Sequence, residues 1–443
     1  MAQPQGRRSP ITRRATATTS DRGVIRRPEG GEMAESTTTE GSRPVVELTE
    51  YREVEEILRR GRDFLAGGTV AESSEFAHGT LVAIDGREHL SRRRALMRMI
   101  NPSRPWGADG TLMDEVFADN LAHLEATVEP VDGLLHFDLV EFLRGIIWRF
   151  TASFVGIDGV DSPERTSKFV SLAVPLVAGI TIQYMPEDQR PTALEKFRVA
   201  RTTIREELFD PSLERRRTLV ASGLSDDELP GDLLTSLLKA DPPVADDLIF
   251  TEAVQLLAAS VNNPVLQATF AIDDLQRWLD EHPEDRAKTG ERAFLNAAVK
   301  ETLRLHRATR PFLSRRAASD VTLESTGRVI PEGTLVAGYL MEADHDKAIF
   351  GDDTESYNPH RTPADPKVAH FGLAFGAGPH VCIGRPMLLW EQGNETSQGA
   401  LTKLLRFLLA RRVRRDPNGE QTMQRERGSH RFSRYDVTIP VSS

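Results

Sequence analysis

One stretch constrains this chain more than any other: Phe375-Gly376-Ala377-Gly378-Pro379-His380-Val381-Cys382-Ile383-Gly384, which holds the single cysteine in 443 residues. A lone thiol is most simply a small buried hydrophobe. Its neighbours point elsewhere. Gly376, Gly378 and Pro379 favour a tight turn whose backbone N–H groups converge on one sulfur. Such donors lower a thiol's pKa, and the thiolate is the form that binds a metal. Gly384 leaves room for something flat and bulky, and Pro386-Met387-Leu388-Leu389-Trp390-Glu391 is expected to continue as a helix.

A net charge of −10 argues against general nucleic-acid binding. No run of about 18 apolar residues is available to span a membrane. One cysteine permits neither an intramolecular disulfide nor an iron–sulfur cluster, and it suits a reducing, cytoplasmic setting. Residues 1–44 are rich in Arg, Ser, Thr and Gly and poor in large apolar side chains, so they are expected to be a disordered extension. Arg7, Arg8, Arg13 and Arg14 also fit a transit peptide, and translation could begin at Met1 or at Met33. The folded domain is expected over residues 45–443.

Helical periodicity dominates that domain. Tyr51, Val54, Ile57 and Leu58 share one face, and His89 and Arg93, four apart, share another. Residues 110–220 read as several helices, with apolar Leu172–Tyr184 preceding a charged helix near Ala193–Leu208. The longest periodic segment runs from Asp246 to about Glu281, through Phe250, Val254, Leu257, Val261, Val265, Ala268 and Ile272. Small Ala258, Ala259 and Ser260 would let a flat group come close, and Pro264 predicts that the helix opens there. Glu301 and Arg304 pair on a helix spanning Glu291 to His306, and their apolar surroundings imply burial and a further partner. Strands are expected near Val321–Leu323, Val329–Val336 and Tyr435–Val441. The fold class is therefore mainly α, a large helical domain with a small β-rich region.

The cysteine stretch resembles the haem-thiolate loop of cytochromes P450, F-x-x-G-x-x-x-C-x-G, at Phe375, Gly378, Cys382 and Gly384. Glu301-Thr302-Leu303-Arg304 matches the family's E-x-x-R, and Tyr357-Asn358-Pro359-His360-Arg361 matches the loop whose arginine joins it. The resemblance covers about residues 45–443. It implies the P450 fold of the soluble bacterial type, with haem b as cofactor and Cys382 as axial ligand to its iron. It implies that His89, Arg93, Arg315 and His380 bind the propionates, with Arg316 competing for the place given to Arg315. Glu301, Arg304 and Arg361 would brace the cysteine loop, and Phe312 and Leu313 would face the substrate. The region from Leu172 into the charged helix would form a mobile lid, and Arg385 stands where a small residue is usual. Electrons would come from a ferredoxin and its reductase, docked on Arg92, Arg94, Arg98 and Arg104, unless those arginines only solubilise the surface.

The chain departs from the family on the long helix. Asn262 and Asn263 stand where an acid followed by threonine normally helps to relay protons during oxygen activation. Two amides cannot titrate, although they can order water. Two readings follow. In the first, the enzyme is a monooxygenase that hydroxylates or epoxidises a small, partly apolar, natural-product-type substrate, with Asn262 and Asn263 organising water. In the second, it performs peroxide-dependent oxidation, oxidative coupling, or redox-neutral rearrangement or dehydration. A haem protein that binds without turnover is a third class, and the sequence shows no appended signalling domain in its favour.

Overall fold

The structure is a computed structural model that describes residues 45–69, 77–100, 111–180, 182, 185–306, 312–389, 399–426 and 429–441. The extension expected over residues 1–44 lies outside them, as do Arg104, Trp390 and Glu391. In chain order the helices are α1 (Tyr51–Arg59), α2 (Gly86–Met97), α3 (Thr111–Thr127), α4 (Leu139–Val155), α5 (Pro163–Gly179), α6 (Arg190–Ile204) and α7 (Asp210–Ala221). They continue as α8 (Leu233–Leu238), α9 (Asp246–Glu281), α10 (Arg292–Leu305), α11 (Leu340–Asp344), α12 (Lys347–Phe350), α13 (Arg385–Leu388) and α14 (Ala400–Ala410). The strands are β1 (Val46–Leu48), β2 (Phe64–Leu65), β3 (Leu134–Asp138), β4 (Phe312–Ala317) and β5 (Val321–Thr322). The others are β6 (Val329–Ile330), β7 (Leu335–Tyr339), β8 (Arg414–Arg415), β9 (Gln421–Glu426) and β10 (Ser429–Pro440).

Helix α9 has 36 residues and is about 54 Å long. It starts on Asp246 and Asp247, whose charges suit the positive end of the helix dipole. Contrary to the expected opening, α9 runs unbroken through Pro264. The proline removes one backbone donor, but Pro264 to Asp273 are buried without a break, so packing holds the rod together. Asn263 Nδ2 also donates to the Ala259 carbonyl at 3.1 Å.

Two hydrophobic clusters make the core. The larger gathers α9, α4, α10 and α14. The smaller lies between α1 and a sheet of order β1-β7-β4-β2, where β1 runs parallel to β7 and the other pairs are antiparallel. A second sheet pairs β10 with β3, β8 and β9. The cysteine loop sits where the clusters meet: Phe375 belongs to the larger, Leu373 and Ala377 to the smaller.

The expected brace is present and buried. Arg304 donates to both oxygens of Glu301 at 2.8 Å, and Arg361 Nε donates to Glu301 Oε1 at 2.8 Å. The remaining guanidinium donors reach the carbonyls of Asp344 and Phe350 and the Asp353 carboxylate. Burying these charges is tolerable because their hydrogen bonds are satisfied.

Candidate functional site

The brace connects to the cysteine through short links. Arg304 holds the Asp344 carbonyl, and the Asp344 carboxylate accepts from Leu373 N at 2.7 Å. Gly372 takes a positive φ of 57° there, and a Cβ on it would lie 2.0 Å from Asp344 Oδ1. Gly376 N then returns to the Leu373 carbonyl (2.8 Å), and Cys382 N to the Phe375 carbonyl (2.9 Å). On the loop's other side Gly378, with φ +68°, packs so closely on α1 that a Cβ would lie 2.3 Å from the Leu58 carbonyl oxygen.

Cys382 opens onto a cavity of about 290 Å³, so its surface is exposed to that space while the thiol itself lies deep in the protein. The backbone N–H groups of Gly384 and Arg385 point at the sulfur; they follow the cysteine and do not belong to the turn of Gly376, Gly378 and Pro379 that was expected to supply them. Burial raises the thiol's pKa, and although these donors pull it down as such donors were expected to, burial outweighs them and the pKa lies above its usual value. A bound metal cation would supply the missing stabilisation of the thiolate. The helix expected beyond Pro386 is one turn, α13, ending at Leu388.

Ala259, Ser260, Asn263, Pro264 and Gln267 of α9 line the same cavity, with Phe150 and Phe154 of α4, Leu313 of β4, and His306. Asn262 is exposed and does not line the cavity, and Phe312 packs on Tyr339 (ring centroids 5.3 Å) rather than lining it.

A cluster of bases adjoins the cysteine loop. The rings of His89 and His380 lie 4.0 Å apart, and His380 Nε2 meets Asp85 Oδ1 at 2.9 Å. Burial, then His380 and Arg93, push the His89 pKa down to about 4. Arg93 is depressed by burial and raised by the nearby Cys382. Arg315, only 6% exposed, bonds the adjacent Ser314 carbonyl, and burial pulls its pKa to about 10 against the pull of Asp85. Among the described residues neither Arg93 nor Arg315 has a carboxylate in ion-pair contact. Arg316 turns instead to the Gly333 carbonyl.

Sequence reasoning missed Asp85, whose Oδ2 also accepts from Gly67 N at 2.7 Å. It also misplaced Arg92. That side chain turns inward to Glu252 of α9 (3.1 Å), a carboxylate that also accepts from Leu81 N, which removes Arg92 from the suggested docking face. Arg94 and Arg98 remain exposed.

The family model for Cytochrome P450 matches residues 274–392, the stretch that carries the brace and the cysteine loop. Over that stretch the chain matches the cytochrome P450 family, and its fold is the P450 fold. Its fold matches solved P450s along most of its length: HmtT, involved in himastatin biosynthesis, shares 19% identity at a TM-score of 0.67 over 92% of this chain and 95% of that one. A Bacillus megaterium P450 in complex with testosterone shares 18% at 0.66, over 90% and 94%. A curated relative from Streptomyces melanosporofaciens, cyclooctat-9-en-7-ol 5-monooxygenase, is 25% identical over 76% of this chain and 75% of its own. Pisatin demethylase of Fusarium vanettenii is 31% identical over 28% of this chain. The chain spans between 25% and 36% of the length of the first curated relatives it matches. No helix among the described residues is long and apolar enough to cross a membrane.

P450s hold haem through a cysteine thiolate, and the residues present here fit such a group. The thiol faces open space with two N–H donors behind it, the facing helix offers Ala259 and Ser260, and buried Arg315 and half-buried Arg93 have no carboxylate in contact among the described residues. A flat, metal-bearing dianion answers all three conditions.

Proposed function

We propose that Cys382 is the axial ligand of haem b, that His89, Arg93, Arg315 and His380 hold its propionates, and that this P450 is a monooxygenase. It hydroxylates or epoxidises a small, partly apolar, natural-product-type substrate, using dioxygen and electrons from a ferredoxin and its reductase. One observation carries the reading: a thiol aimed into a cavity near a buried arginine, Arg315, and a half-buried one, Arg93, neither with a carboxylate partner among the described residues. The naming of the Streptomyces relative as a monooxygenase supports it. Bound there, haem supplies oxygen activation, favoured by electron donation from the thiolate.

The chain's own residues do the rest. The Phe375 carbonyl and the N–H groups of Gly384 and Arg385 hold Cys382 in register. Phe150, Phe154, Leu256 and Leu313 make the cavity wall apolar, which excludes water and selects an apolar substrate face. Asn263, tied to the Ala259 carbonyl, is a fixed polar group on the α9 side that orders water. Arg94 and Arg98 are the exposed members of the docking face proposed for the ferredoxin.

Reducing the purified protein under carbon monoxide tests the ligand, and the red-shifted absorbance band of a thiolate complex is expected. A substrate screen with a ferredoxin and its reductase then tests turnover. An unshifted band overturns the assignment of Cys382. The pair Asn262-Asn263 favours a second reading, peroxide-dependent or redox-neutral chemistry. Product formed with peroxide, or with no oxidant, and none with dioxygen and reductant would replace the first reading by the second.

A further inference from the structure

We infer that His306, held by Asp274, is the residue through which the cavity exchanges protons with solvent, filling the place that Asn262 and Asn263 cannot. The inference rests on the haem-monooxygenase reading above. His306 directly follows α10, two residues after the brace arginine, and it lines the cavity. Its Nε2 lies 3.1 Å from Asp274 Oδ1 and 3.0 Å from Oδ2. A carboxylate only accepts, so Nε2 carries the proton and Nδ1 is left as a lone pair. Among the described residues Nδ1 has no hydrogen-bond partner.

The imidazole is also fixed in place. Its ring stacks on Phe270 at 3.8 Å with 7° between planes, and Gln267 Nε2 donates to its backbone carbonyl at 2.5 Å. Gln267 Oε1 is buried without a donor among the described residues, which leaves an acceptor for a bridging water on the face shared with Asn263. Behind the ring, Asp274 also accepts from Thr302 Oγ1 (2.9 Å), and its side chain keeps 12% exposure. The carboxylate therefore holds the imidazole from behind, and the imidazole, whose side chain keeps 26% exposure, meets water with Nδ1. The other ionisable groups nearby are otherwise engaged. Tyr357, beside Asp274 and Glu301, is held protonated by burial, and Asp273 is taken by Tyr435 and Arg277. Because Asp274 keeps Nε2 protonated, the imidazole trades protons at Nδ1: it takes one there to become an imidazolium paired with the carboxylate, and gives that proton up again to water in the cavity, which two asparagines cannot do.

The test uses the haem-loaded full chain, wild type and with His306→Gln or Asp274→Asn. Glutamine keeps an N–H for Asp274 and cannot titrate. The carbon monoxide band is recorded first, and its absence from wild type would overturn the haem-thiolate reading and this inference with it. With the band in place, ¹⁵N-histidine NMR of the carbonyl complex should show one imidazole, missing in His306→Gln, that is protonated on Nε2 when neutral. In Asp274→Asn its tautomer balance should shift. Decay of the reduced protein after mixing with dioxygen should show a solvent isotope effect of roughly twofold or more. That effect should fall to about one in His306→Gln and to an intermediate value in Asp274→Asn. An isotope effect unchanged in His306→Gln, no isotope effect in wild type, or an Nδ1-protonated tautomer overturns the inference and leaves the haem-thiolate reading standing.

Discussion

The two walls of the cavity are built differently. On the cysteine side, Gly378 presses on α1, His380 reaches Asp85 ahead of α2, Leu373 hangs from Asp344, and Cys382 closes on Phe375. On the other side, one helix face presents Ala259, Ser260, Asn263 and Gln267, where Asn263 bonds back to the Ala259 carbonyl and Gln267 to the His306 carbonyl. The contrast is that of a socket with a panel. A socket held from four directions tolerates few substitutions, whereas a panel can exchange its polar groups while the rod behind it stays intact.

The largest effect that could break this contrast is at the sulfur. Cys382→His keeps a metal ligand but removes the thiolate, and the red-shifted carbonyl band should vanish completely; a surviving band would mean that the socket is not built around sulfur. Next is Arg361→Ala, which leaves buried Glu301 with one arginine instead of two. Unfolding in urea should show a loss of about 3–5 kcal/mol, with haem released at lower denaturant than in wild type.

The third concerns the helix wall away from its face. Burial raises the Glu252 carboxyl from 4.5 to about 7, against the pull of Arg92 and Leu81 N–H. Across that window the folded state binds more protons than the unfolded one, so stability falls as pH rises from 4.5 to about 7 and then levels off. The loss is at most roughly 3 kcal/mol, and Glu252→Gln should flatten that part of the stability-versus-pH curve. The smallest effect is expected at Asn263→Ala, which removes one side-chain bond within α9 and should cost below about 1 kcal/mol by thermal melting. It should leave the carbonyl band unmoved. A large loss there would show that the panel is as constrained as the socket.

What could be read from the residues follows the same division. The loop was legible because its glycines, proline and cysteine are local and adjacent. The limits of α9, Asp246 to Glu281, followed from an apolar period that never lapses, and the brace from charges set among apolar neighbours. The failures are all long-range. Nothing near Arg92 marks it as turning inward, because its partner Glu252 is 160 residues away. Asp274 lies on α9 and His306 just beyond α10, 32 residues apart, so neither hints at the other. Pro264 suggested a break because local chemistry was weighed without the packing that surrounds it. The thiol's pKa was misjudged because the depth of its burial is not visible in sequence.

The contact of Gly378 with Leu58 and Arg59 also has a consequence for how the molecule is made. These partners are some 320 residues apart, so the helix that backs the socket leaves the ribosome long before the cysteine exists. Until then α1 waits with its inner face uncovered, and the first cluster it can complete is the one that also requires β7, Leu373 and Ala377. The thiol is thus not presented by any early folding unit. If Cys382 ligates haem iron as proposed, cofactor capture is a late event that follows the meeting of segments some 320 residues apart, and a nascent chain stalled before Cys382 lacks the thiolate that would hold the metal.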